Sequence, residues 1–174
     1  MAAPLGLLGG TFDPVHKAHL ALAHAALAEL QLSGVRWIPS GRPGHRDAPA
    51  TSAEHRLAML RLALAGEPHF ALDEADALSE KPTYTVDTLA RLRAELGSEL
   101  PLVFIMGSDQ FGALEGWKDW QRLFGLAHFA VAARPRYPAE VAGLSPRLAQ
   151  ELAARQAAGI DKRPAGSIVQ FSMP

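Results

Sequence analysis

Two histidines follow a pair of glycines near the start of the chain, in the segment GGTFDPVHKAH that runs from Gly9 to His19. Gly9 and Gly10 leave the backbone open to a close ligand and able to take up conformations that other residues resist. His16 and His19 are three residues apart, and His19 falls in the first turn of a predicted helix. Unpaired N–H groups and the helix dipole favour phosphate at such a position. The segment therefore predicts an anion-binding site with two imidazoles facing one pocket.

Two other interpretations of the histidine pair stay open. Histidines three residues apart could bind a metal ion, and histidines in a tight turn could be purely structural. The chain has no cysteine, no HExxH sequence and no obvious third ligand, which disfavours a metal site. A structural role alone is disfavoured because many of the residues between Gly9 and His19 fit one motif, which chance does not explain. We therefore predict that no metal is held by protein side chains here.

The elements that must position this loop can be predicted from periodicity. Apolar runs of strand length alternate with stretches of helical period, which indicates parallel strands joined by right-handed crossovers. We expect an α/β fold, a Rossmann-like doubly wound parallel sheet with helices on both faces. Ligands of such folds bind at the carboxyl ends of strands. The predicted strands are 4–8, 35–39, 70–72, 102–106, 128–133 and 168–171, and the predicted helices are 17–31, one capped by Ser52, 85–95 ending at Gly97, and 145–157.

The composition limits the class of protein. The chain has 174 residues, 48% of them apolar and 20% charged, with a net charge of −1, which is typical of one globular domain. A pI near 6.7 argues against a partner as acidic as nucleic acid. No apolar stretch is long enough to cross a bilayer, and the first four residues contain no basic region before an apolar run, so a secretory leader is not expected. We expect a cytoplasmic single domain over residues 1–174 that binds neither nucleic acid nor membrane, and the sequence does not specify an oligomeric state.

Basic residues concentrate between Arg36 and Arg56. This stretch could bind a small anionic ligand or could be a solvated loop with ordinary arginines, and both interpretations stay open. Its basic residues are Arg36, Arg42, His45, Arg46, His55 and Arg56.

The first loop closely resembles the signature of the nucleotidyltransferase superfamily, an HxxH-type motif after a Gly-rich loop. The resemblance implies that His16 and His19 stabilise charge on the α-phosphate of a nucleoside triphosphate. An incoming phosphate then attacks in line, pyrophosphate leaves, and no covalent enzyme intermediate is needed. It also implies contacts to ATP from the loop residues Gly9, Gly10, Thr11 and Phe12.

Four further segments resemble the bacterial nicotinate-nucleotide adenylyltransferases, and they occur in that family's order. They are 39–46, 83–89, 106–120 and the pair Arg134-Pro135. The resemblance implies that the backbone near Thr85 meets the nicotinate carboxylate, that Trp117 stacks on the pyridine ring and that Asp109 binds nucleotide hydroxyls. It also implies a set of contacts to phosphate or ATP from His45, Arg46, Gly107 and Arg134.

The residues of these segments also allow structural interpretations. Thr83 or Thr85 could cap a helix, which would leave N–H groups free for an anion. A carboxylate such as Asp109 at the end of a strand can accept ribose hydroxyls, and the indole of Trp117 suits a flat, electron-poor ring. Trp120 is predicted to pack in the core.

The function implied by the resemblance is adenylyl transfer from ATP to nicotinate mononucleotide, which gives deamido-NAD and pyrophosphate. Mg²⁺ is expected to arrive with the ATP phosphates. Two alternatives stay open: the acceptor could be nicotinamide mononucleotide or phosphopantetheine, or the chain could be a catalytically impaired nucleotide-binding module. The family has an ISxTxIR-type stretch after its last strand, which is not found here. We therefore expect the domain to lack its C-terminal segment.

Overall fold

The fold was analysed in a computed structural model, which describes residues 3–43, 51–133 and 143–173. Strands and short helical elements alternate along these ranges. The strands are β1 (Leu5–Gly10), β2 (Gly34–Pro39), β3 (Arg42–Pro43), β4 (Phe70–Leu72), β5 (Pro82–Thr83), β6 (Leu102–Gly107), β7 (His128–Ala133), β8 (Gln156–Ala157) and β9 (Ile168–Ser172). The helices are α1 (Lys17–Glu29), α2 (Ala53–Leu64), α3 (Thr85–Leu96), α4 (Ser108–Gly112) and α5 (Pro146–Arg155).

Seven of these strands form one sheet in the order β4-β2-β1-β6-β7-β9-β8, and all of its pairings are parallel. From β1 the chain winds outward through β2 to β4, then returns to β6 beside β1 and winds outward on the other side. The direction of winding therefore reverses between β1 and β6. In sheets of this kind a crevice opens at the carboxyl ends of the two strands that flank the reversal.

Apolar side chains alternate between the two faces of the sheet, as the pleat of a strand requires. Leu7 belongs to a core cluster that includes Leu89 of α3, whereas Leu8 belongs to a second cluster with Ala23 of α1 and Leu60 of α2. The helices thus cover both faces. The prediction of a doubly wound parallel sheet is confirmed.

Two predicted helix ends, at Ser52 and at Gly97, agree with the caps that the structure shows. The hydroxyl of Ser52 accepts a hydrogen bond from the His55 N–H at 3.3 Å and begins α2. Gly97 follows α3 with a φ of +94°, a conformation that costs glycine little. Ser145 caps α5 by accepting from the Leu148 N–H at 3.2 Å. The helix spans Pro146–Arg155 and is therefore shorter than the predicted 145–157 at both ends.

A second, two-stranded sheet was not predicted. β3 pairs in parallel with β5, which brings the loop after β2 beside the segment before α3. Gly41 permits this approach, because a Cβ atom at this position would overlap the carbonyl oxygen of Asp76. Two loops that are about forty residues apart in sequence therefore meet at the carboxyl edge of the main sheet.

No helix among the described residues is long and apolar enough to cross a membrane.

Candidate active site

A pocket lies at the carboxyl edge of the sheet, beside the point where the winding reverses. Its walls come from the ends of β1, β2 and β6, from the segment around the start of α3, and from the region after α4. The lining residues are Gly9, Gly10, Thr11, Ile38, Ser40, Asp76, Thr83, Tyr84, Thr85, Thr88, Phe104, Gln110 and Trp117. Of the predicted site residues, the structure brings together Gly9, Gly10, Thr11, Thr85 and Trp117.

The first strand extends beyond the predicted 4–8 and includes both glycines of the loop. Gly9 and Gly10 lie within β1, and neither has a positive φ, so the left-handed conformations open to glycine are not used at these two positions. The positive φ falls on Phe12, at +50°. Its side chain is buried against Trp37, with ring centroids 5.4 Å apart. This side chain packs in the core, which leaves the backbone as the part of Phe12 that a ligand could reach.

His16 and His19 are held together at the N-terminus of α1. Their rings stack with centroids 3.8 Å apart and an angle of 27° between planes. The backbone N–H of His16, the residue that precedes the helix, donates to Nδ1 of His19 at 3.1 Å. The ring of His19 also meets the edge of Phe12 at 4.9 Å. Neither histidine lines the pocket itself, but both follow directly from the loop that does.

The contacts of His19 determine its protonation state. Burial, together with the neighbouring His16, lowers the pKa of His19 from 6.5 to about 4. Because Nδ1 accepts a hydrogen bond, the proton of the neutral ring sits on Nε2. His19 therefore offers an anion a neutral N–H donor near pH 7 rather than a positive charge.

The start of α3 carries no side-chain cap. Tyr84 is the residue that precedes the helix, and its side chain makes no capping bond. The alternative in which Thr83 or Thr85 caps this helix is therefore not observed. The first N–H groups of a helix have no acceptor within the helix, so the start of α3 leaves the N–H of Thr85, a residue of the pocket wall, without an intrahelical partner.

The two tryptophans after α4 have different surroundings. Trp117 lines the pocket and meets Phe104 edge-on, with centroids 6.2 Å apart. Trp120 is half-buried, packs edge-on against Phe124 at 6.3 Å and lies against the hydrophobic core. It does not line the pocket, so the structure favours the predicted packing role over a ligand contact. Trp117 is half-buried, and part of its indole faces the pocket.

The end of β6 brings Gln110, rather than Asp109, to the pocket wall. Asp109 lies in the first turn of α4 and is exposed, and it does not line the pocket. Gln110 lines the pocket, and its Oε1 accepts from the Gly107 N–H at 3.4 Å. The predicted nucleotide contacts of Gly107 and Asp109 stay predictions.

Three predicted phosphate-binding residues, His45, Arg46 and Arg134, lie outside the described residues. Two other arginines of the basic stretch have protein partners. Arg36 pairs with Glu95 at 2.8 Å and lies 3.5 Å from Asp73, and Arg56 is buried. Neither guanidinium is therefore free to form part of an exposed basic patch.

The pocket wall also contains eight residues for which no ligand contact was predicted: Ile38, Ser40, Asp76, Thr83, Tyr84, Thr88, Phe104 and Gln110. The hydroxyl of Ser40 is shielded from solvent and has no hydrogen-bond partner within the described ranges. The carboxylate of Asp76 accepts from the Thr88 hydroxyl at 2.5 Å and lies 3.5 Å from Arg91. Burial raises the pKa of Asp76 despite these partners. Ser40, Tyr84 and Gln110 lie within the segments 39–46, 83–89 and 106–120 that resemble the family, whereas Asp76 lies outside all of them.

Among the residues that the structure describes, the side chains that could bind a metal ion form no candidate metal centre. In the parts of the chain that the structure describes, no three histidine, aspartate or glutamate side chains are grouped so as to hold a metal ion.

A histidine pair at a helix N-terminus, beside the crevice of a doubly wound sheet, defines an α/β nucleotide-binding protein. Comparison with known proteins narrows this class. Residues 7–164 match the cytidylyltransferase-like family. A protein named "Probable nicotinate-nucleotide adenylyltransferase" from Dechloromonas aromatica is 49% identical over 99% of this chain and 81% of its own length. One of the same name from Chromobacterium violaceum is 48% identical over 100% of this chain and 82% of its own.

The chain therefore belongs to the cytidylyltransferase-like family and, within it, to the nicotinate-nucleotide adenylyltransferases. The fold has a counterpart in the Plasmodium falciparum nicotinic acid mononucleotide adenylyltransferase complexed with NaAD. The two share a TM-score of 0.70 at 17% sequence identity, over 99% of this chain and 76% of that one. This likeness concerns the fold.

Proposed function

We propose that the chain transfers the adenylyl group of ATP to nicotinate mononucleotide, giving deamido-NAD and pyrophosphate. The observation that carries the proposal is that one pocket joins the glycine-rich loop to the uncapped start of α3 and to Trp117. The loop suits the phosphates of a nucleotide, whereas Thr85 and Trp117 suit a flat ring that bears a carboxylate. Relatives that are 48–49% identical over nearly the whole of this chain carry the corresponding name.

In the proposed reaction, a phosphate oxygen of the mononucleotide attacks the α-phosphorus of ATP. A new P–O bond forms, the bond between the α-phosphorus and the bridging oxygen breaks, and pyrophosphate leaves with that electron pair. Such a displacement depends mainly on positioning and on stabilising the charge of the transferring group. His19 Nε2–H is assigned as a neutral hydrogen-bond donor to that group, and His16 and the N-terminus of α1 are assigned to the same phosphates.

ATP is taken to enter as its magnesium complex, so that the metal belongs to the substrate. Mg²⁺ is usually bound through substrate phosphates with few protein ligands, which agrees with the donor set of the described residues. Cytoplasmic location and the contacts of His45, Arg46, Asp109 and Arg134 stay predictions.

A pair of tryptophan variants tests the nicotinate side of the pocket. Trp117→Ala should raise the KM for nicotinate mononucleotide roughly 2- to 13-fold, which corresponds to the ~0.5–1.5 kcal/mol of an aromatic contact. The matched control is Trp120→Ala, which removes an equal side chain that packs against the core at Phe124 and does not line the pocket. It should lower the urea midpoint and leave this KM within about twofold. Pyrophosphate release at varied mononucleotide concentration measures the KM of each variant, and urea unfolding measures the midpoint.

The assignment of Trp117 would be wrong if the two variants changed KM equally, or if Trp117→Ala changed only the KM for ATP.

A further inference from the structure

A buried arginine lies behind the pocket and holds its walls. Arg56 of α2 is 2% exposed. Its Nη1 donates to two backbone carbonyls, those of Thr11 and Ser40, each at 2.8 Å. Its Nε donates to the carbonyl of Thr51 at 3.3 Å. One guanidinium thus joins the segment after β1, the segment after β2 and the start of α2.

Two of these carbonyls belong to residues that line the pocket. Thr11 follows β1 and Ser40 follows β2, and both form part of the pocket wall. The Ser40 N–H also donates to the Gly10 carbonyl at 2.8 Å, so the two strand ends are joined twice. The hydroxyl of Ser40, without a partner in the described ranges, belongs to the residue that Arg56 holds. The guanidinium therefore holds two residues of the pocket wall without lining the pocket itself.

Burial disfavours the charged form of Arg56, and the groups around the guanidinium offset part of that cost. Burial lowers the pKa of Arg56, whereas the nearby carboxylate of Asp13 raises it. Asp13 in turn accepts from the Thr51 N–H at 3.2 Å. A buried charge is tolerated only where it is paired and hydrogen-bonded. An arginine at this position costs more than an apolar residue would, so its placement calls for a role beyond filling space.

We propose that Arg56 is a positioning residue for adenylyl transfer: it fixes the Thr11 and Ser40 segments at the separation that the transferring phosphate requires. The proposal rests on the proposed function. Displacements of about 1 Å can lower a rate about 10²-fold when a reaction depends on alignment. Arginine suits the task because its planar group directs several donors along fixed directions, which a lysine cannot reproduce.

The chain supplies a matched control at the opposite edge of the sheet. Arg93 of α3 also holds backbone carbonyls: Nε donates to Leu126 at 2.9 Å, and the terminal nitrogens donate to Leu100 and Pro164 at 2.6 Å each. These carbonyls precede β6, β7 and β9 at the amino ends of the strands. Arg93 therefore makes the same kind of contact, far along the strands from the pocket.

The test compares Arg56→Met with Arg93→Met in steady-state assays of pyrophosphate release, with urea unfolding of each. Arg56→Met should lower kcat roughly 10- to 100-fold with a smaller change in KM. Arg93→Met should lower the urea midpoint and leave kcat within about twofold. Arg56→Lys, which keeps the charge, should recover part of kcat, and Arg56→Ala should regain activity when millimolar guanidinium is added.

Equal loss of kcat in the two methionine variants, or unchanged kcat in a folded Arg56→Met protein, would overturn the proposal. If Arg56→Met does not fold, Arg56→Lys alone decides: its kcat must fall while its urea midpoint stays near that of the wild type. A wild-type kcat in that variant would overturn the proposal.

Amide hydrogen exchange separates this proposal from the proposed function, because it needs no turnover. In the ligand-free protein, the substitution at Arg56 should speed exchange in segments 9–13 and 38–41, whereas the substitution at Arg93 should speed it near 97–102 and 126–128. A wild type that makes no product would refute the proposed function, and exchange would still decide the role of Arg56. Unchanged exchange in 9–13 and 38–41 would refute that role whatever the turnover.

Discussion

At the scale of single residues, the protonation state of His19 decides what the histidine pair can do. Burial and His16 hold the pKa of His19 at about 4, so its ring stays neutral in the free protein above about pH 5. The acidic limb of kcat/KM between pH 5 and 7 should then not come from His19, because kcat/KM reports groups of the free enzyme.

An NMR titration tests this prediction directly. The ring signal of His19, assigned by its absence in His19→Gln, should titrate with a midpoint near pH 4. His16→Ala removes the smaller of the two causes, so the midpoint should rise but stay below the ordinary value of 6.5. A midpoint near 6.5 in the wild type would contradict the burial of this ring.

The residue types of the site could be predicted from the sequence, but their contacts could not. The spacing of His16 and His19 predicted a shared site, whereas the stacked rings and the bond from the His16 N–H depend on how the chain enters α1. Asp76 lies outside every segment that resembles the family, and its place in the pocket wall depends on the close approach that Gly41 allows. Contacts between segments distant in sequence cannot be predicted from local patterns.

At the scale of elements, the start of α2 links stability to the site. Ser52→Ala removes the cap of α2 and should cost about 1 kcal/mol of unfolding free energy. Because α2 carries Arg56, kcat should also fall. Ser145→Ala removes the equivalent cap of α5 and should cost a similar free energy without changing kcat. Urea unfolding and pyrophosphate release check the pair.

If Ser145→Ala lowered kcat as much as Ser52→Ala, the effect would be one of general stability, and the link from α2 to the pocket would be contradicted.

Periodicity predicted most elements, and it failed where other forces decide. Strands 70–72 and 128–133 were predicted with the bounds observed, since short apolar runs between breaks leave few alternatives. The predicted helix 145–157 ends early because Gln156 and Ala157 pair with β9. The two-residue strands β3 and β5 are too short for any periodicity to appear.

At the scale of the whole molecule, His128 makes stability depend on pH. The ring is fully buried at the start of β7. Its Nδ1 accepts from the Ser167 N–H at 3.0 Å, and its Nε2 donates to the Arg163 carbonyl at 2.6 Å. Burial lowers the pKa of His128 below 6.5 despite the favourable bond to that carbonyl. The neutral ring thus links β7 to the segment before β9.

Because the folded-state pKa lies below the unfolded one, the contribution of His128 is fully present above about pH 6.5 and is lost as the pH falls toward the folded-state pKa. The urea midpoint should therefore fall as the pH is lowered from 7 to 5. His128→Gln should unfold more easily at pH 7 but show a shallower fall. His69→Gln, at an exposed position, should keep the wild-type slope. An unchanged slope in His128→Gln would contradict the prediction.

The overall architecture could be predicted from alternating strand and helix patterns. The cytidylyltransferase-like family model matches residues 7–164, which span most of the sheet. The expected lack of a C-terminal segment stays a prediction.

The most direct test of the central claim is the rate of product formation from ATP with nicotinate mononucleotide against nicotinamide mononucleotide. The uncapped N–H groups at the start of α3 favour a carboxylate, because hydrogen bonds to a charged acceptor are about twice as strong as neutral ones. We predict deamido-NAD and pyrophosphate in equal amounts, with kcat/KM for the acid at least about tenfold above that for the amide, or ~1.4 kcal/mol. A preference for the amide, or no product from either in folded protein, would contradict the account.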